Sequence, residues 1–406
     1  MTVKKDVIHV TKCRINESTV DKAEDRSAHS LPSIEQLIKQ GQPQFGVFAH
    51  VEQINYLDYH SHLISQRPVA EWRKQLKANQ FAFIQLVHEP YRVCIAVATI
   101  KLATTAFAYI YNEDSEQLEI VEALQPLMLN AHFSGDHQHG EIIFTHQKLS
   151  VTLNFSPEQV SLRLNSNVFT VNADLQRGSN PLAVCSPSGR RGWSFTQKEP
   201  FVETKGELIL HQSSKHYASA VVEKTMTDSA IVETFAVDSV NNVVDASKNI
   251  SKKLIFNSST HANLDWTLGF VRHETNWFWS CINTKLSDQR QFMLNLSMGV
   301  NETGVSENAC WIDGQIYHLP PVMFRRAETD KTEVWHISHQ NLGWSQIEID
   351  LTFTPLKVYK KTDDYGVIAS IFEQWIGLYS GQIKLGQQTV TLDKVMGLAE
   401  DYFAKW

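Results

Sequence analysis

Residues 149–155 read Leu149-Ser150-Val151-Thr152-Leu153-Asn154-Phe155, and this strict alternation of apolar and polar side chains decides the fold class. Successive side chains of a β-strand point to opposite faces of its sheet, so a period of two predicts a strand with one buried face. The same alternation returns at residues 160–164, 169–173 and 347–353. Turn sequences such as Ser156-Pro157-Glu158 and Asp313-Gly314 separate strands at short intervals. The sequence therefore predicts consecutive β-strands joined by short turns.

The segments around these strands show no alternation of helices with strands, which argues against a parallel α/β sheet. Many short antiparallel strands manage their exposed edges by closing into barrels or sandwiches. A chain of 406 residues, 42% of them hydrophobic, is long enough for two such units. We predict a mainly β protein with two antiparallel barrels or sandwiches and a few short helices.

The predicted domains follow from composition along the chain. Residues 1–30 lack periodicity and large apolar groups, and we expect a flexible arm. Residues 31–204 form the first β-domain and residues 205–406 the second, since the middle of the chain is rich in turn-forming residues near 186–192. A capping pattern at Ser33-Ile34-Glu35-Gln36 with a glycine stop at Gly41 predicts a short helix, and a second is expected at residues 69–78.

Composition excludes several classes of function. The formal net charge is -7, and no Lys/Arg stripe is interleaved with aromatics, so nucleic acid is a poor partner. The polar start and the lack of a long apolar run predict a cytoplasmic protein with no stable membrane insertion. Five scattered cysteines without a C-x-x-C pair predict reduced thiols.

No nucleotide-binding, zinc-protease or serine-hydrolase motif occurs, and we expect no cofactor. His132, Asp136, His137 and His139 have spacings that could hold a metal. A solvated loop with histidines by chance is the favoured interpretation, because a metal site needs fixed geometry and supporting partners. We therefore predict no metal.

Residues 264–280 contain three tryptophans together with Arg272, His273 and Asp265. On a strand, Trp277 and Trp279 share a face. They would then either line a cavity that binds a flat apolar ligand or stabilises a cation, or fill an ordinary core. Downstream, Asn295, Glu307 and Asn308 are either a structural polar network or the polar end of a site.

Several segments resemble the family called domain of unknown function 2804. They are residues 265–269, 275–279, 295–296, 307–314, 319–322, 378–381 and 397–406, with 41–43, 195–198 and Gly206 further upstream. More remotely, the tryptophan-rich strands are similar to those of carotenoid-hydratase and related lipocalin-like proteins, whose two barrels bind or transform apolar, often terpenoid, molecules. This resemblance implies a lipocalin-like form for the two predicted barrels, but fold does not fix function.

Our leading hypothesis is a protein whose second half holds an apolar pocket that binds a small lipid- or terpenoid-like molecule and, if the protein is an enzyme, transforms it. As an enzyme it would use acid-assisted chemistry at a carbon-carbon double bond. Burial would favour the acid form of Asp265 or Glu307, which would protonate the substrate while the indoles face the cation. The catalytic candidates are Asp265, Glu307 and His273, and the ligand-binding candidates are Trp277, Trp279, Arg272, Asn295, Asn308 and Lys198.

Two other classes stay open. The protein is a non-catalytic carrier of lipid or pigment if no acid reaches the pocket. It is a carbohydrate-binding sandwich if its tryptophans are solvent-accessible and stack on sugar rings. Glu400 and Trp406 are expected to dock the end of the chain onto the barrel and to have no functional role.

Overall fold

The computed structural model describes residues 31–60, 69–99, 103–126, 130–189, 191–211, 252–299, 306–327, 329–330, 332–340, 346–364 and 369–405, with the backbone of Ile100. The predicted arm at residues 1–30 and Trp406 lie outside these ranges. The described residues from Pro32 onward form one compact unit. The described residues contain no helix long and apolar enough to cross a membrane.

The described part of the chain begins with five short strands. They are β1 Ser33–Gln36, β2 Ile38–Lys39, β3 Gln42–Pro43, β4 Gly46–Phe48 and β5 His50–Gln53. The helix predicted at Ser33 is wrong, because β1 pairs with β5 and this pairing overrides the local capping signal. Gln40 and Gly41 both have positive φ, so Gly41 turns the β2–β3 hairpin and does not end a helix.

Two short helices follow, a 3-10 turn at Tyr56–Asp58 and α1 at Glu71–Lys77. The second lies where the sequence predicts a helix.

The first large sheet has 14 strands and combines β4 with β6–β18. The strands are β6 Asn79–His88, β7 Tyr91–Ile100, β8 Ala103–Asn112, β9 Gln117–Pro126, β10 Ala131–Phe133, β11 Glu141–Thr145, β12 Leu149–Phe155, β13 Gln159–Ser166, β14 Phe169–Arg177, β15 Leu182–Ser188, β16 Gly192–Leu210, β17 Lys252–Ile255 and β18 His261–Phe270. All neighbouring strands pair antiparallel, and the predicted alternation of β12 is confirmed by its alternating burial.

The second sheet has nine strands, β19–β27. They are β19 Glu274–Lys285, β20 Gln291–Met298, β21 Ala309–Ile312, β22 Gln315–His318, β23 Val322–Arg325, β24 Trp335–His339, β25 Ile347–Asp364, β26 Ala369–Leu385 and β27 Gln388–Lys405. Both large sheets are curled antiparallel half-barrels, which confirms the predicted fold class. The predicted domain boundary at 204/205 falls inside β16, and the chain changes sheet between Phe270 and Glu274.

The two-residue period gives each large sheet an inner and an outer face. On β18, Leu264, Trp266 and Leu268 belong to the core of the first sheet. On β19, Ile282 belongs to the core of the second sheet, whereas Trp279 joins a third cluster that contains residues of both sheets. The alternate residues of β18 and β19 are thereby available to a site between the sheets.

Candidate functional site

A cavity of about 200 Å³ lies between the two large sheets. Strands β6, β7, β8, β16 and β18 line it from one side, and β19, β20, β25, β26 and β27 from the other. We predicted a pocket held by the second half of the chain alone. In the structure, strands from both halves line the cavity. The outer faces of the two sheets form it together.

Aromatic rings form much of the wall. The lining rings are Phe81, Phe83, Phe107, Trp277, Trp279, Tyr359, Phe372 and Tyr402. The centroid of Phe107 lies 4.9 Å from that of Tyr359 and 5.5 Å from that of Phe372. These contacts join a ring of the first sheet to two rings of the second, so aromatic packing bridges the two sheets along this wall.

Trp277 and Trp279 lie on the same face of β19, and both line the cavity. Trp279 is buried and packs edge-on against Phe83 of the first sheet, with centroids 5.4 Å apart. Trp277 is half-buried and packs edge-on against Tyr402, at 4.3 Å. Both indoles point away from the core of the second sheet. They line the cavity between the sheets, and each also packs against a neighbouring aromatic ring.

Lys198 is the buried cation of the site, with its side chain 3% exposed. Its Nζ is paired with the carboxylate of Asp265 and lies 3.4 Å from Oε2 of Glu307. Burial acts to lower the pKa of Lys198, but the two carboxylates outweigh burial and raise it. Lys198 is therefore an ammonium group. The same Nζ lies 5.9 Å from the ring centroid of Trp279.

Glu400 lines the opposite wall and was missed as a functional residue by the sequence analysis. Its Oε1 accepts a hydrogen bond from Trp277 Nε1 at 2.8 Å, and its Oε2 accepts one from Gln374 Nε2 at 3.0 Å. Burial raises the pKa of Glu400 to about 7, although both hydrogen bonds lower it. The group can therefore be a neutral acid or a carboxylate near neutral pH.

Two amides hold side chains of the cavity wall in place. Gln374 accepts a hydrogen bond from the Tyr109 hydroxyl at 2.6 Å, which fixes the amide so that its Nε2 faces Glu400. Asn295 accepts from Trp279 Nε1 at 2.7 Å and donates to the backbone oxygen of Glu307 at 2.7 Å. Asn295 is thus a positioning residue outside the cavity lining.

Four predicted site residues do not line the cavity: Asn295, His273, Arg272 and Asn308. His273 is exposed in the loop between β18 and β19. Arg272 donates from Nη2 to the backbone oxygen of Gly299 at 3.1 Å. Asn308 accepts from the Ser297 backbone NH at 2.7 Å and donates to the Pro320 oxygen at 3.0 Å, so its amide supports the chain. Lys198, Asp265, Glu307, Trp277 and Trp279 all line the cavity.

The histidine-rich loop does not converge on a metal geometry. His137 is buried, and its ring centroid lies 5.3 Å from that of Trp266. Burial lowers the pKa of His137 to about 3. His132 is exposed, and Asp136 accepts hydrogen bonds from the backbone NH groups of Gln138 and His139. Among the residues that the structure describes, no group of three His, Cys, Asp or Glu side chains could hold a metal ion.

The sequence did contain a signal for Glu400. Leu398, Glu400 and Tyr402 occupy alternate positions of β27 and therefore share a face. Leu398 packs in the cluster between the sheets and Tyr402 lines the cavity. A carboxyl group at an apolar position of a strand indicates a functional site, because burial of an ionisable group is costly.

Comparisons with known proteins match the chain at two levels, one in sequence and one in fold. Residues 237–406 match the family model "domain of unknown function (DUF2804)", which confirms the resemblance over that part of the sequence. The segments quoted upstream, at residues 41–43 and 195–198, lie outside the match. None of the curated proteins matches the chain significantly.

Three solved structures are similar in fold. CghA is 9% identical with a TM-score of 0.47, and the alignment covers 80% of this chain and 88% of CghA. A putative AttH from Nitrosomonas europaea is 13% identical with a TM-score of 0.41, covering 80% and 91%. Kievitone hydratase from Nectria haematococca is 9% identical with a TM-score of 0.40, covering 81% and 88%. At such values the neighbours say nothing about the substrate of this chain.

Proposed function

We propose that this protein binds a small, mainly apolar molecule between its two sheets and moves a proton on a carbon-carbon double bond of that molecule. One observation carries the proposal. The buried Glu400 carboxyl, with a pKa of about 7, lines an aromatic cavity beside the Trp277 indole. A proton donor and a cation-stabilising ring are the two groups that such chemistry needs.

The proposed reaction is an isomerisation. Neutral Glu400 gives its proton to one alkene carbon, where the π electrons form the new C–H bond and leave a cation on the neighbouring carbon. The ionised Glu400 then takes a proton from an adjacent carbon, and the electrons of that C–H bond form the shifted double bond. Atoms and charge balance, and the acid is restored without a further reactant.

Glu400 replaces Asp265 and Glu307 as the proposed acid. Both of those carboxyls form buried ion pairs with the ammonium group of Lys198. We assign them instead to electrostatic stabilisation of positive charge in the cavity. Trp279, held by Asn295, presents its ring to the same space.

Binding can be tested with N-phenyl-1-naphthylamine, an uncharged fluorescent probe. We expect it to bind the wild type and to be excluded by Ala98→Trp, since Ala98 lines the cavity and an indole there would fill it. Ala369→Trp is the matched control, because Ala369 precedes the lining residue Ser370 on β26 and does not line the cavity itself. Equal binding by all three proteins would refute an intersheet binding site.

The catalytic part is separated from a carrier role by deuterium exchange. Small molecules that copurify with the protein are extracted, identified by mass spectrometry and returned to it in D2O. Isomerisation predicts deuterium at carbon with the wild type and none with Glu400→Gln. Binding without exchange in both proteins would favour the carrier. The carbohydrate-binding alternative receives less support, since Trp279 is buried and Trp277 half-buried.

A further inference from the structure

Lys198 offers the cavity a hydrogen-bond donor that its ion pairs do not use. An ammonium group carries three N–H bonds. Within the described part of the chain, Nζ has two polar partners, the carboxylate of Asp265 and Oε2 of Glu307 at 3.4 Å. One N–H bond is therefore left for an atom in the cavity that Lys198 lines.

The ammonium group lies beside the aromatic wall. Its Nζ is 5.9 Å from the ring centroid of Trp279, which packs against Phe83 across the two sheets. In the register of β19 and β27, Trp279 stands opposite Glu400. All four side chains line the cavity. A ligand with one atom at Lys198 therefore has its adjoining carbon atoms beside these rings.

The remaining N–H bond of Lys198 needs an acceptor from the ligand. The Lys198 side chain is only 3% exposed, so a ligand that fills the cavity also removes the remaining contact with water. A wholly apolar ligand would leave this donor buried without a partner, which is costly. A site of this kind discriminates against molecules that lack the matching polar atom.

The two carboxylates determine which acceptor fits. An anionic head group would meet Asp265 and Glu307 as like charges, and a cationic head group would compete with Lys198 for both of them. A hydroxyl group would bring a donor of its own, which competes for the same carboxylates. A ketone or ester carbonyl oxygen accepts a hydrogen bond and leaves both ion pairs unchanged.

We propose that the ligand of this cavity is an uncharged, mainly apolar carbonyl compound whose carbonyl oxygen accepts a hydrogen bond from Nζ of Lys198. This assignment rests on the proposed function only in using the same binding site between the sheets. The apolar body lies along Trp279, Phe83 and the other rings of the wall. The carbonyl group serves recognition, and the proton transfer stays with Glu400.

Four probes of similar length test the assignment on the wild type: 2-octanone, its isosteric alkene 2-methyl-1-octene, octanoate and octyltrimethylammonium. Affinities are measured by displacement of N-phenyl-1-naphthylamine. Those of the ketone and the alkene are referred to their octanol–water partition coefficients, which removes their difference in hydrophobicity. On this scale the ketone should bind at least about tenfold more tightly than the alkene. The two charged probes should bind more weakly than the ketone.

Equal corrected affinities of ketone and alkene would overturn the assignment and leave the intersheet binding site in place. Tighter binding of octanoate or octyltrimethylammonium than of the ketone would overturn it as well. If none of the probes binds, including N-phenyl-1-naphthylamine, the proposed function is removed together with the assignment.

A spectrum of the bound ketone reports the hydrogen bond directly. 2-Octanone is labelled with 13C at its carbonyl carbon and at the adjacent methyl carbon, which reports the ring currents that act on both. Relative to the methyl carbon, the carbonyl carbon of the bound ketone should resonate downfield of its position in benzene, because a hydrogen bond withdraws electron density from it. A separation equal to that in benzene would overturn the assignment.

Lys198→Met should abolish the downfield shift and the preference for the ketone. Lys384→Met, at an exposed pair with Glu348, is the matched control and should preserve both. Lys361, the other described lysine of the lining, lies 3.6 Å from Glu122 near the mouth. A shift lost in Lys361→Met and kept in Lys198→Met would overturn the assignment. If Lys198→Met does not fold, the wild-type affinities and spectrum decide.

Discussion

The indole Nε1 of Trp277 donates a 2.8 Å hydrogen bond to Oε1 of Glu400 across two paired strands, β19 and β27. In the register of these strands Trp279 stands opposite Glu400 and Trp277 opposite Tyr402, so the bond runs diagonally. The same indole therefore faces the cavity and tunes the acidity of the carboxyl beside it. The proposed acid, Glu400, and the proposed cation-stabilising ring, Trp277, are therefore coupled by one hydrogen bond.

The ionisation of Glu400 predicts a pH-dependent stability. Its pKa is raised by burial from 4.5 to about 7, so the folded state holds this proton more tightly than the unfolded state. The stabilisation that Glu400 contributes is fully present below the pKa of the group in the unfolded state. It decreases as the pH rises towards 7, and it does not change further at higher pH. The total loss is on the order of 3 kcal/mol. Urea unfolding between pH 4 and 8 should show it, and Glu400→Gln should abolish that component. Parallel pH profiles of the two proteins would contradict the assignment.

Trp277→Phe should move this transition to higher pH. The variant keeps an aromatic wall but removes the hydrogen bond that lowers the pKa of Glu400. The pH at which stability levels off should rise above that of the wild type, as measured by melting temperature against pH. Trp72→Phe, at an exposed position of α1, is the control and should leave the midpoint unchanged. A midpoint that stays fixed in Trp277→Phe would show that the bond does not set the acidity.

The strands could be predicted from the sequence because alternation is a local signal. Leu149, Val151, Leu153 and Phe155 face one core whatever their partners are. Burial of Trp279 with Phe83, or pairing of Lys198 with Glu307, joins residues far apart in the chain. No local period encodes such contacts. The prediction from the sequence therefore placed the pocket in the second barrel, whereas the outer faces of the two large sheets form it together.

The same limit explains the individual site residues. Asp265 was identified because it stands in the tryptophan-rich segment, and Glu307 because it stands in the polar segment downstream. Their common partner Lys198 was expected only to bind ligand. His273 was favoured for its chemistry, and the turn from β18 to β19 exposes it. Glu400 was assigned to chain-end docking because it stands close to the last residue of the sequence. Its hydrogen bond with Gln374, which lies on a strand that pairs with β27, is not indicated by any local pattern.

Lys198→Met should strongly destabilise the fold. The substitution keeps most of the side-chain volume but leaves Asp265 and Glu307 buried without their common cation. Removing one partner of a buried ion pair costs roughly 3–5 kcal/mol. Chemical unfolding at pH 7 measures the loss. Lys384→Met, which breaks an exposed pair with Glu348, should have little effect on stability.

A second variant distinguishes charge from packing at this position. If the loss in Lys198→Met comes from uncompensated carboxylates, adding Asp265→Asn and Glu307→Gln to it should recover part of the stability, because the neutral amides cost less to bury. A triple variant less stable than Lys198→Met would indicate that the cluster of residues 198, 265 and 307 depends on shape and hydrogen bonding more than on charge balance.

Asn308 tests whether a predicted ligand-binding residue acts on the chain instead. Its amide accepts from the Ser297 NH and donates to the Pro320 oxygen, and the side chain does not line the cavity. Asn308→Ala should therefore lower the free energy of unfolding by roughly 1–3 kcal/mol, because it removes the partner of the buried Ser297 NH and of the half-buried Pro320 oxygen. The dissociation constant for N-phenyl-1-naphthylamine should stay within twofold of the wild type, about 0.4 kcal/mol. Asn276→Ala, at an exposed position of β19, should change neither quantity. Loss of probe affinity at unchanged stability would place Asn308 in the binding site after all.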